Sequence, residues 1–139
     1  MYDSILVTIK KMLGLQAGYT PFDSEILVFI NNALMILQQL GVGPSEGFTV
    51  SSDNEIWSDF IPDGVMLEGV KTYIYLSVKI VFDPPGSSVV MDAMKSLKDE
   101  LEWRLREQAE FYPGDGTKLG YWQQTVADEA AAAEQADGE

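Results

Sequence analysis

The chain has 139 residues, enough for one domain with a substantial core, and its 46% hydrophobic and 11% aromatic content places it among globular proteins. It contains neither cysteine nor histidine, which removes disulfide frames, thiol nucleophiles, the commonest metal ligands and the usual catalytic triads, so no catalytic, cofactor-binding or metal residue is assigned. A formal charge of -13, from 22 acidic and 9 basic residues, repels phosphate backbones and argues against sequence-specific nucleic-acid binding.

Residues 2–13 place Tyr2, Ile5, Leu6, Ile9, Met12 and Leu13 on one side of a predicted helix. Asp3 lies near its start and Lys10 and Lys11 near its end, as the helix dipole prefers, and Gly14 is the natural stop. The amino terminus shows no basic leader and no small-residue cleavage site, so it does not read as a secretory signal. Thr20-Pro21-Phe22-Asp23 predicts a second helix with Thr20 as N-cap and Pro21 at its first position. Its expected buried face is Phe22, Ile26, Phe29, Ile30, Ala33, Ile36, Leu37 and Leu40, and Gly41-Val42-Gly43-Pro44 ends it.

Residues 45–51 form a polar connector around Phe48 and Val50. Ser52-Asp53-Asn54-Glu55 has the spacing of a capping box and predicts a brief helix holding Ile56, Trp57, Phe60 and Ile61, closed by Pro62-Asp63-Gly64.

From Ile74 to Phe82 the even positions are all apolar, which imitates a strand. A helical wheel decides for helix, because Glu68, Lys71, Thr72, Tyr75 and Lys79 fall within one narrow arc and apolar residues fill the rest. Asp83-Pro84-Pro85 breaks that helix, since each proline lacks the N–H a continuing helix needs and Pro84 bars the α conformation at Asp83. Ser87 or Ser88 then caps a second long helix with Val90, Met94, Leu97, Leu101 and Leu105 as its apolar stripe. Glu100 with Arg104, and Glu102 with Arg106, are expected to pair on its outer face. Met91 and Met94 read as core filler, and Trp103 as core in preference to contact surface.

The fold expected is therefore mainly α: a small helical bundle with a central two-helix hairpin broken at Asp83-Pro84-Pro85 and an extended C-terminal tail. Residues 1–110 form the helical domain, and 111–139 an acidic, Ala-rich tail in which Leu119, Tyr121, Trp122 and Val126 are unusually apolar. No run is long and apolar enough for a membrane span; the most apolar, Val70 to Phe82, includes Lys71 and Lys79.

Taken in order, Phe29-Ile30-Asn31, Leu40-Gly41-Val42-Gly43-Pro44, Trp57-Ser58-Asp59-Phe60, Lys71-Thr72-Tyr73-Ile74-Tyr75, Phe82-Asp83-Pro84-Pro85 and Glu100-Leu101-Glu102-Trp103-Arg104 resemble the head–tail connector, or head-completion adaptor, proteins of long-tailed bacteriophages. The resemblance covers about residues 22–106. It implies a structural virion protein that assembles with copies of itself as a dodecameric ring on the portal protein and hands the DNA channel to the next neck or tail-completion component. DNA would pass through without specific binding, no catalysis or cofactor is implied, and the chain would reside in the host cytoplasm during assembly and at the head–tail interface of the virion afterwards.

Candidate subunit or portal contacts are Trp57, the Lys71, Tyr75 and Lys79 stripe, and Tyr121 and Trp122 of the tail. Two other readings compete with the ring. The charge of -13 also fits a small acidic inhibitor that mimics DNA and binds a basic partner. A carboxylate-dependent hydrolase would draw on Asp59, Asp99 and Glu100, although the arginines near Asp99, Glu100 and Glu102 make a solvated charged face the simpler account.

Overall fold

The computed structural model describes residues 4–62 and 64–111 and consists of five helices. The first, α1 (Ile5–Met12), is capped by Ser4, whose Oγ accepts from the Val7 N–H at 3.3 Å. Asp3, expected near its start, lies outside the described residues. Ile5, Leu6 and Ile9 are buried, whereas Met12 is exposed. The helix stops at Gly14, which holds a φ of 85° that only glycine adopts freely.

The second helix, α2 (Asp23–Gln39), begins later than the sequence suggests. Thr20 is not its N-cap: the Asp23 N–H donates to the Thr20 carbonyl at 3.1 Å, so Thr20 to Asp23 form a turn ahead of the helix. Phe22 is correspondingly exposed and stacks edge-on against Phe82 with ring centroids 5.4 Å apart. Ile26, Ile30, Ala33 and Leu37 are buried as expected, with Phe29, Ile36 and Leu40 half-buried. Leu34 is buried too, because α1 and α4 (Val65–Phe82) both pack on α2 and widen its covered face.

The chain leaves α2 through Gly41 and Gly43, at φ 91° and 89°. Gly43 has a second constraint, since a Cβ there would collide with the Phe60 ring. The connector that follows is held by Asn31 of α2, whose side-chain amide donates to the Val50 carbonyl at 2.9 Å and accepts from the Val50 N–H at 2.8 Å.

Glu55 reaches back to both backbone N–H groups and both hydroxyls of Ser51 and Ser52, as a capping-box spacing implies, but it clamps a loop and not a helix start. Burial acts to raise the Glu55 pKa, yet these hydrogen bonds to its ionised form outweigh it and hold the carboxyl below its ordinary value. The short α3 (Trp57–Phe60) starts later, with the Asp59 carboxylate accepting from the Ile56 N–H at 3.1 Å.

The two long elements are α4 and α5 (Ser88–Phe111), so the period-two pattern at Ile74 to Phe82 belongs to a helix. Asp83 sits at φ -143° and ψ 68°, outside the α region as the following proline requires. Ser87 caps α5, its Oγ accepting from the Val90 N–H at 3.4 Å. Buried Val70, Tyr73, Ile74 and Val78 make α4 the central helix, packed against α2, α5 and α1.

On α5 the apolar stripe is only partly covered. Leu105 and Ala109 are buried and Met91, Met94 and Leu101 half-buried, but Val90 and Leu97 are exposed, because α2 and α1 lie on other sides of α4 and leave the first half of α5 a single neighbour. The core stripe runs through Lys98 instead, whose Nζ lies 5.5 Å from the centroid of the Tyr73 ring.

Candidate functional site

The surface of the hairpin carries three of the six candidate contact residues, Lys71, Tyr75 and Lys79. Trp57 is not on that surface. It is 2% exposed, its indole N–H donates to Thr8 Oγ1 at 3.0 Å, and it belongs to the core cluster. Its ring supports Lys71, whose Nζ stands 5.6 Å from the ring centroid, so any contact made here is made by the residue above the tryptophan.

Lys71, Tyr75 and Lys79 do share one side of α4, but that side is half-buried and less wet than the wheel implies. Each lysine has a carboxylate partner within its own chain: Glu68 at 3.8 Å from Lys71 and Asp83 at 2.7 Å from Lys79. Tyr121 and Trp122 lie outside the described residues.

Trp103, expected in the core, is 57% exposed. It stands two positions from both Leu101 and Leu105, which turns it about 200° away from the covered stripe. Glu100 and Arg104 pair at 2.8 Å as expected, while Glu102 is partnered by Lys98 at 3.9 Å and not by Arg106. The reason is Lys98's position over Tyr73, which brings its ammonium to the side of α5 where Glu102 lies. Tyr73 has its phenol oxygen buried without a hydrogen-bond partner among the described residues. Burial, reinforced by the Glu102 carboxylate, pushes its pKa well above the usual tyrosine value.

Two concave features flank the hairpin. At the Pro84-Pro85 end, a cleft of about 400 Å³ is lined by Leu13, Leu15, Phe22, Phe29, Val81 and Phe82, with Glu25 and Asp83 on its wall. A smaller groove of about 250 Å³ lies between α4 and α5, where Ser77, Ile80 and Val81 face Lys95, Lys98 and Asp99. Among the described residues no group of three acidic side chains is placed to hold a metal ion, and no helix is long and apolar enough to cross a membrane. Sequence reasoning missed the cleft, because its wall joins the α1–α2 loop to the end of α4. The available signal was the excess of aromatic residues, Tyr19, Phe22 and Phe82, at predicted helix boundaries.

The five helices run from Ile5 to Phe111, and a family model described as Phage connector protein matches residues 5–111. The chain belongs to the phage connector protein family. No curated protein and no solved structure matches it. As a phage connector it is a structural component of the virion neck, and its partners are other head and tail proteins.

Proposed function

We propose that this phage connector forms a dodecameric ring on the portal protein and extends the DNA channel to the next neck or tail component. The family match over residues 5–111 carries the reading. The surface supports it: Val81, Val89, Val90, Leu97 and Trp103 of the hairpin are all exposed, apolar side chains that contact with another copy would cover. Copies of the same chain seal such area in a closed ring, with heterologous contacts repeating around the axis. A net charge of -13 suits a conduit through which DNA slides without being gripped.

The proposal is tested by deleting the gene from the phage and imaging the particles. Filled heads that leak DNA and fail to accept tails are expected, and cryo-EM of wild-type particles should place twelve copies beside the portal. Infectious particles produced at normal yield by the deletion mutant would end the idea. Recovery of the chain only as a monomer bound to a basic DNA-binding enzyme would favour the acidic-inhibitor alternative.

A further inference from the structure

The cleft at the hairpin corner has no covering element among the described residues, yet it has the features of a receptor for a short peptide. Its floor is apolar and aromatic, its volume of about 400 Å³ lies in the range of sites that hold one or two large side chains, and two carboxylates, Glu25 and Asp83, stand on its wall. Phe22 and Val81 on that wall are 38% and 57% exposed, which is costly for a surface meant to face water.

The chain itself contains a matching segment. Beyond Phe111 the sequence is mostly acidic and small, and its largest departure is Lys118-Leu119-Gly120-Tyr121-Trp122, which combines two adjacent aromatic residues with the tail's single basic side chain. Aromatic anchors beside a lysine complement an aromatic cleft flanked by carboxylates.

The geometry also decides whose cleft is filled. Helix α5 has 24 residues and is therefore about 36 Å long, and the cleft lies at its N-terminal end, beside Val81 to Asp83. Trp122 follows Phe111 by about eleven residues, which reach ~36–40 Å only when fully extended. A chain filling its own cleft would have to run straight back along α5 with almost no slack. An adjacent copy whose corner lies nearer the end of α5 is free of that demand.

We infer that Tyr121 and Trp122 of each copy insert into the corner cleft of an adjacent copy, with Lys118 approaching Glu25, since Asp83 is already paired with Lys79 of its own chain. This rests on the ring reading and assigns one of its contacts: a head-to-tail exchange, which propagates around a ring because donor segment and acceptor cleft are different surfaces.

The absence of cysteine allows a clean test. Phage carrying the double variant Val81→Cys with Gln123→Cys are assembled, oxidised and analysed on non-reducing gels, with Glu25→Cys and Gln123→Cys as a second pair. Incorporation at the wild-type copy number verifies that the variants fold. The expected result is a ladder of covalent oligomers rising to the full ring, with each single-cysteine variant giving none. Particles that hold many copies but show only an internal link within one chain, a link to the portal protein, or no link with either pair would overturn this inference and leave the ring intact. Particles holding a single copy would overturn both.

Discussion

Lys10 is 1% exposed, donates to the Ala17 carbonyl at 3.0 Å and lies 2.8 Å from Asp23 Oδ1, so one buried ammonium ties the α1–α2 loop to the start of α2. A charge in this setting is tolerated only while its partner remains. Asp23→Ala should therefore destabilise the protein by about 2–4 kcal/mol in urea melts, Lys10→Met should be comparably costly because it strands the buried Asp23 Oδ1, and the double variant should lose less than the sum of the two. Losses that simply add in the double variant would show that the pair is not what matters. Tyr73 offers a second residue-scale test. Its folded pKa is raised above the ordinary 10.0, so the stability it contributes is complete below pH about 10 and is lost above it, as the unfolded chain ionises and the folded chain cannot. Tyr73→Phe should match or exceed wild-type stability at pH 7, since the buried hydroxyl has no hydrogen-bond partner of good geometry among the described residues, and should hold its Tm better than wild type at pH 11. A variant that melts well below wild type at pH 7 would contradict this.

At the scale of elements, the corner between α4 and α5 is set by covalent chemistry. Asp83 is held at ψ 68°, the chain turns through Pro84 and Pro85, and Phe82 and Phe22 stack across the end of α4. Replacing both prolines with alanine restores two N–H donors and lets the long helices compete to fuse, which would pull α5 off α4. The expected outcome is a lower Tm with retained or increased helicity by circular dichroism, together with reduced incorporation into particles. An unchanged Tm and unchanged assembly would refute the role given to the corner. The hairpin and its break were legible in the sequence because proline acts locally. The start of α2 was not: Thr20 and Pro21 fit a helix cap, but the same residues fit a turn, and the stacking of Phe22 on Phe82 favours the turn.

At the scale of the whole molecule, the question is what surface the bundle leaves over. Trp103 is 57% exposed in the middle of α5, so truncating it removes little that the isolated chain has buried. Trp103→Ala should change Tm by no more than the small amount typical of surface sites, about 0.5 kcal/mol in stability, yet lower the number of copies retained in particles. Wild-type occupancy in the variant particles would exclude Trp103 from the proposed contacts between copies. The family match spans all five helices, so Trp103 and the other exposed apolar side chains of the hairpin lie in the part of the chain that the family model covers.

Helix positions, the proline corner and the absence of histidine and cysteine chemistry came from residue order alone, because periodicity, missing backbone donors and composition act over a few positions or none. The partition of side chains between core and surface did not. Periodicity says that a helix has an apolar face but not how far its neighbours extend over it, so Trp57 proved buried, Trp103 and Leu97 exposed, and Lys10 enclosed. The cleft beside Phe22 and Phe82 exists only because residues sixty positions apart meet when α2 packs on α4, a contact set by the three-dimensional fit of side chains and invisible to any local pattern.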